Sequence, residues 1–599
     1  MKLRLTKTTL FLVLIFAVAF FLRIIAASHV LIGPDELIYS TIPINIISAG
    51  RLSTVEQSPI YFYLVDIFYQ IFGVTPISTR LPSILFGSLC VFLIFLIVYE
   101  IFNDRRAGLW AAFLYALSGY LIRYNYEMDP TAFFFLLLSI FFFLKGMYTK
   151  KQYFYLSALF LGIGILVKQL VIFVAPAYFF LIVYHSITLK ESTLVEKTEA
   201  GNKFYWGIIY VFIICVGIIL ITLAPIFVYN YLLYKDQGVT DYYFSNVLGL
   251  GKTVHPSYVL GKSWAFDRLI NITKSKLLQF LQFDGLLLFL GLVGIYFAHK
   301  KWAQAFFLIL LFLPLLLYLG GTTGSNSHYN LVLITLAIFG GLTLSLVNEY
   351  GQKHINPRIG SFVVTVLLIS SLFFIGVDIL FERSASLSLR SYVIKNIPDD
   401  AVVLLDPRIY NGLVAWAFND KHYTGSNDFL KFQDASFKST KPKKRFRVYY
   451  VECNNQSTQK TCMWSNEDYA RILNFSIGLS NNFAANGKQV GEVRGPDFVF
   501  SVYTAQFDLF PQAADYFDQT HNFWFYPVGW KYPERAVDNY IPSGFGHILN
   551  AFGFLILYFN FFIVLLSPLL CIYLIFYQNF SYSDNHPIID APSPPKHVP

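Results

Sequence analysis

Apolar residues run along this chain in long blocks separated by short polar turns. A helix that crosses a hydrocarbon layer needs about 20 mostly apolar residues. The first block runs from about Thr9 to Ala27; others lie near 80–102, 107–123, 130–147, 153–168, 170–187, 205–230, 277–298, 303–320, 328–347 and 361–381, with a last one over 548–577. The pattern predicts about twelve membrane helices. The run 153–187 is nearly unbroken, and its division near Lys168 is the weakest boundary. The basic start (Lys2, Arg4, Lys7) looks like a signal peptide, but the apolar stretch is too long and Ala26-Ala27-Ser28 beside Arg23 is a poor cleavage site. An uncleaved anchor with its N-terminus inside is predicted.

Two regions break the pattern. Residues 28–79 form a long first loop with amphipathic stretches at Leu37–Ala49 and Ile60–Phe72, predicted to lie in the membrane interface. Residues 382–547 carry more charge and shorter apolar runs. A helix near Ser386–Lys395 and strands at Ala401–Leu405, Arg447–Val451 and Phe498–Tyr503 predict a small α/β domain. The division expected is therefore a membrane domain over 1–381, an extracytoplasmic α/β domain over 382–547, and a last membrane helix with a cytoplasmic tail over 548–599.

Composition agrees. Of 599 residues, 56% are hydrophobic, 19% aromatic and only 14% charged, with mean hydropathy +0.53. Soluble domains are about one-quarter charged. This sets aside a cytosolic enzyme, a nucleic-acid binder and a disordered scaffold. The net charge of +9 falls where the positive-inside rule wants it. Alternating sides puts Arg105, Arg106, Lys145, Lys150, Lys151, Lys190, Lys197, Lys203, Lys300, Lys301, Lys353 and Arg358 inside, while short outside loops hold Arg123 and little else. A multi-pass protein of the plasma or inner membrane follows. Cys90, Cys215 and Cys571 lie in apolar runs; Cys453 and Cys462 lie in the outside domain, where a disulfide is expected.

The chemistry-bearing residues gather at one interface. Asp35 and Glu36 follow the first helix, Glu127 and Asp129 follow Arg123, Lys168 ends the fifth helix, and His328 and Tyr329 open the tenth. Taken singly, each has an ordinary structural role. Asp35 and Asp129 suit helix starts, the latter with Pro130 behind it; Lys168 can snorkel; His328 suits an interface; Glu127 and Arg123 can pair across a turn. Together, carboxylates and cations on one outer face suit group transfer from a lipid-borne phosphate donor. A carboxylate takes the proton of an attacking hydroxyl, and cations stabilise the leaving phosphate.

The stretch 33–170 resembles the dolichyl-phosphate-mannose–protein mannosyltransferase superfamily, including its lipid A aminoarabinose transferase-like bacterial members. The matching pieces are Arg23, Pro34-Asp35-Glu36, Gln57 to Tyr63, Phe72-Gly73-Val74, Thr79 to Ser83 with Phe86-Gly87, Asn103 to Gly108, Met128-Asp129-Pro130, Gly162-Ile163-Gly164 and Leu166 to Gln169. The resemblance implies a polytopic helical membrane protein with the C-type glycosyltransferase fold. It implies transfer of one sugar from a polyprenyl-phosphate carrier to a hydroxyl on a protein, lipid or glycan, with inversion. It implies Asp35 as base, Glu36 beside it, Asp129 as a second acid, and Lys168 and Arg80 near the donor phosphate. Gln57-Ser58 stands where many members carry a Lys or His, so Arg51 or Lys252 is a further phosphate candidate. Tyr61 falls within the matched pieces, and His328-Tyr329 within a weaker one. No cofactor is required by the sequence; a divalent metal would sit between Asp35 and Asp129, though ligand spacing does not indicate one. Two other readings stay open: a transporter or flippase for a lipid-linked saccharide, and an anchoring protein whose aromatic segment His521 to Pro533 binds a partner.

Overall fold

The structure is a computed structural model. It describes residues 6–581 except 31–33, 45, 55–58, 193–199, 242, 254–264, 323–325, 355–357, 359–361, 364, 368, 371–383, 407–408, 410–416, 419, 455–482, 484–486, 496–497 and 521–538. The chain is mostly helical. Among the described residues seven helices are long and apolar enough to cross a membrane, or eight if a bent pair counts as one span. The other expected runs are helical but shorter or broken, and 361–381 lies largely outside the described residues. The protein is thus an integral, multi-pass membrane protein.

The helices in chain order are α1 (Lys7–Ala27), α2 (Pro34–Thr41), α3 (Ile46–Ala49), α4 (Ile60–Phe72), α5 (Pro76–Phe102), α6 (Arg105–Leu117), α7 (Gly119–Arg123), α8 (Asp129–Tyr148), α9 (Gln152–Val167), α10 (Ala175–Ser192), α11 (Ala200–Thr222), α12 (Ala224–Gln237), α13 (Phe266–Phe297), α14 (Trp302–Thr322) and α15 (Asn330–His354). Their ends are written in the sequence. Thr75 caps α5 in a reciprocal capping box with Ser78, with Pro76 in the first turn. Asp104 caps α6 through Arg106 N and Ala107 N, and takes a hydrogen bond from Ser345 Oγ at 2.6 Å, tying α15 to that turn. Helices α5 and α8 are the centre of the bundle, buried over 89% and 94% of their apolar windows; α1 and α13 are buried over 28% and 33% and form its margin. Close approach needs glycine: a Cβ on Gly294 of α13 would lie 2.0 Å from the Phe339 carbonyl oxygen of α15.

The run expected as one span at 205–230 is broken. Helices α11 and α12 meet at 52°. Pro225 sits in the first turn of α12, and Asn560 Nδ2 of the C-terminal helix Gly546–Ser581 caps the freed Thr222 carbonyl at 3.0 Å.

Past α12, β1 (Val239–Thr240) and β2 (Lys252–Thr253) form a small parallel pair. A five-stranded sheet then comes from β3 (Val402–Leu405), β4 (His422–Gly425), β5 (Lys444–Asn454), β6 (Lys488–Arg494) and β7 (Val499–Leu509), in the order β4-β3-β5-β7-β6. The first three strands are parallel and β7 runs antiparallel to its two neighbours. Strand β3 is buried on both faces. Val403 and Leu405 enter one core with the helix Ala385–Asn396; Val402 and Leu404 enter the other with Phe429 and Phe517. Sequence patterning predicts β3, β5 and β7 but not β4 and β6, whose apolar positions are too few. Ile44 and Val74 of the first loop pack on the sheet domain, so that domain sits at the same end of the bundle as α2–α4. The segment His521 to Pro533 lies outside the described residues.

Candidate active site

Three chain breaks build the site. Asp129 opens α8, with Pro130 in the first turn. Lys168 is the extended residue (φ −147°, ψ 116°) between α9 and a 3₁₀ turn at Gln169–Val174. His328 lies in the 3₁₀ turn Ser327–Tyr329 that leads into α15. The apolar hairpin of α8 and α9 brings the first two to one end of the bundle, and α15 brings the third.

There the Lys168 ammonium donates to Asp129 Oδ2 at 2.6 Å and approaches His328 Nδ1 at 3.1 Å. His328 Nδ1 also lies 3.0 Å from Asp129 Oδ1. Ser327 Oγ donates to Glu127 Oε2 at 2.5 Å, and Ser83 Oγ bonds the Glu127 carbonyl. Asp129 and Lys168 are 1% and 2% exposed. A lone buried charge is costly, and a hydrogen-bonded partner offsets that cost. Lys168 therefore does not snorkel, and Asp129 does more than begin a helix.

Neighbouring residues form the frame. Arg80 binds Glu36 through two nitrogens, with Nη2 to Oε2 at 2.9 Å, donates to the Ala27 carbonyl at 2.5 Å, and lies over the Tyr126 ring. Tyr61 is fully buried, its hydroxyl 2.9 Å from Ser83 Oγ. Arg51 is nearly buried, and its carbonyl accepts from the Tyr63 hydroxyl at 2.6 Å. Arg123 lies over Phe283. A Cβ on Gly87 would meet Asn125 Nδ2 at 2.7 Å, so glycine there lets the 124–128 loop approach α5; Asn330 Nδ2 holds Asn125 Oδ1 at 2.8 Å from the other side. Asp35 lies in the first turn of α2; its side chain is outside the described set. Lys252 is in β2. Cys453, at the end of β5, is disulfide-bonded, and Cys462 lies outside the described residues.

Sequence reasoning missed two residues of α13. Lys276 is 5% exposed. Among the described residues its ammonium meets only Gln279 Oε1 at 3.3 Å, Asn326 Oδ1 and the face of Tyr329, with no carboxylate. Asn326 directly precedes the Ser327–His328 turn. Asp284 lies about 12 Å further along α13 by helical rise, and its carboxylate takes Gly119 N at 3.1 Å and Tyr120 N and Ser118 Oγ at 2.8 Å. The signal was present. Lys276, Phe280, Asp284, Leu287, Gly291 and Gly294 form one buried stripe at helical spacing, and charges within such a stripe face protein, not lipid.

The sequence does not call for a metal but would place one between Asp35 and Asp129; among the described residues the group that could hold one is different. Glu127, Asp129 and His328 each offer a ligand atom, all within 4.8 Å of one another. As arranged they do not fit a divalent ion, because both Asp129 oxygens and His328 Nδ1 are engaged and the Lys168 ammonium sits against two of the three residues.

Residues 56–229 match the family model described as dolichyl-phosphate-mannose-protein mannosyltransferase. The crystal structure of ArnT from Cupriavidus metallidurans in the apo state superposes with a TM-score of 0.55 at 13% identity, over 83% of this chain and 98% of that one. This chain has the C-type glycosyltransferase fold. ArnT bound to undecaprenyl phosphate matches that fold with a TM-score of 0.52 at 13% identity, over 82% of this chain and 97% of that one. An uncharacterized protein of Aquifex aeolicus (strain VF5) is 24% identical over 226 residues, 36% of this chain and 42% of that protein. The match thus spans less than half of that relative. The resemblance to the mannosyltransferase superfamily stands on the stretch that carries Arg80, Glu127, Asp129 and Lys168; Asp35, Lys276 and His328 lie outside it.

Proposed function

We propose that this C-type glycosyltransferase fold moves one sugar from a polyprenyl-phosphate-linked donor to a hydroxyl acceptor on the extracytoplasmic side, with inversion. The observation that carries the reading is the convergence of Glu127, Asp129, Lys168 and His328 at the end of the bundle that holds the first turn of α2, where Asp35 lies. In the reaction the acceptor oxygen attacks the anomeric carbon. The bond from that carbon to the phosphate oxygen breaks, its electron pair leaves with the phosphate, and the hydroxyl proton passes to the Asp35 carboxylate.

The roles divide by what is already engaged. Arg80 and Glu36 neutralise each other and hold α2 on α5. Lys168 is committed to Asp129. Lys276, a nearly buried cation without a carboxylate among the described residues, is the group that takes the leaving phosphate, in the place first considered for Lys168, Arg80 and Arg51. Interfacial helix α4 borders the entry of the lipid tail, and the sheet domain guides the acceptor.

The test is purified protein with a radiolabelled polyprenyl-phosphate sugar and candidate hydroxyl acceptors. Acceptor-dependent release of polyprenyl phosphate is expected, falling by about 100-fold or more in Asp35→Asn. Movement of intact donor across proteoliposomes without product would favour a flippase instead. That alternative is the weaker one because the coupled charges lie at helix ends, whereas transporters place substrate groups at mid-membrane.

A further inference from the structure

We propose that the Lys168 ammonium is a built-in cation standing where a divalent metal would bind Glu127, Asp129 and His328. The chain then needs no divalent ion at this cluster, and removing the ammonium creates a divalent-metal site. The statement about need rests on the transferase reading above; the statement about binding does not.

Oxygen and nitrogen ligands lie about 2.0–2.2 Å from a small divalent ion, so ligands around one ion span roughly 3–4 Å. Here the three ligand atoms lie within 4.8 Å of one another. The ammonium bonds within the cluster are 2.6 Å and 3.1 Å, the lengths of N–H hydrogen bonds. The ammonium thus sits at hydrogen-bond reach of two of the three ligand residues, in the place a metal would need.

Charge comes next. Asp129 and Glu127 bring two negative charges to the cluster, and Lys168 is the cation paired with Asp129. Its position is fixed by backbone, not by a flexible surface arm: the residue is extended between two helical segments and 2% exposed. Truncation to alanine removes the ammonium and the three methylenes beyond Cβ, which leaves space beside a carboxylate with a vacated lone pair and an imidazole nitrogen. A carboxylate pair with a histidine is a ligand set that takes Mn²⁺ or Zn²⁺.

Mn²⁺ binding to chelator-treated, detergent-purified full-length protein tests this, read by electron paramagnetic resonance and calorimetry. Lys168→Ala should gain one Mn²⁺ site at least about tenfold tighter than any in the wild type, a difference of about 1.4 kcal/mol. Lys168→Met fills the space with an apolar chain and should gain none, and Asp129→Asn in the Lys168→Ala background should abolish the gained site. No gained site in folded Lys168→Ala overturns the proposal. Wild-type protein supplies the second arm if that variant does not fold. Wild type should bind no Mn²⁺ that depends on Asp129, and its turnover should survive chelator; tight Asp129-dependent binding, or loss of turnover restored by Mn²⁺, overturns the proposal. Absence of turnover with every donor would count against the transferase reading alone, because the Mn²⁺ titration needs no substrate.

Discussion

Asp129 and Asp284 are both buried carboxylates within apolar helices, yet they serve opposite ends. Asp129 meets an ammonium and an imidazole delivered by other elements. Asp284 meets three neutral donors, all from the start of α7, and its own backbone departs from helix (φ −143°, ψ 33°) to reach them. The first gathers charge at one point, the arrangement the proposed transfer uses. The second caps a five-residue helix by taking its first two N–H groups, while Ser118 Oγ takes the third. Partners, not residue type or burial, separate the two.

The comparison can be broken most directly at Asp129. Asp129→Asn should lower turnover about 100-fold and cost about 3–5 kcal/mol of stability, because it leaves the Lys168 charge buried without a counterion; detergent melting curves and initial rates measure both. Similar rates in Asp129→Asn and Asp284→Asn would erase the distinction. Next comes Lys276→Met, which should raise the donor KM about tenfold, the loss of one charge-assisted hydrogen bond, with kcat changed little. A fall in kcat at constant KM would move Lys276 out of donor binding. Asp284→Ala should cost about 1–3 kcal/mol for each donor left unsatisfied and leave the rate per folded molecule within about a factor of two.

The smallest effect lies outside the membrane helices. Asp241, just past β1, is buried and bonded to Asn230 Nδ2 at 2.8 Å, and desolvation pushes its carboxyl up to about 6. A raised acid favours the folded state while protonated. Its contribution is therefore complete below about pH 4 and is lost as pH rises through about 6. Melting temperature should fall across that window, and Asp241→Asn should flatten the fall.

Much of this was legible in the residues. The apolar blocks located the helices, the Asn103–Gly108 turn carried its own cap, and Pro130 and Lys168 marked the breaks that make the site. The cluster of Asp129, Lys168 and His328 was visible as a shared face, but its bonding was not, since no periodicity reports which side chains touch across 160 residues of chain. Lys276 was hidden because it falls at the edge of a loop rich in Lys, where a further cation looks ordinary. Strands β4 and β6 were hidden because edge strands such as His422–Gly425 and Lys488–Arg494 carry too little alternation to stand out.

The pairing across the α8–α9 hairpin bears on how the protein is made. A lone buried charge at a helix end is costly, whereas the two opposite charges at the open end of one hairpin neutralise each other. Both partners of the pair are present once α9 has been made, and His328 is added only ahead of α15. The order of the chain thus sets the order in which the cluster can assemble.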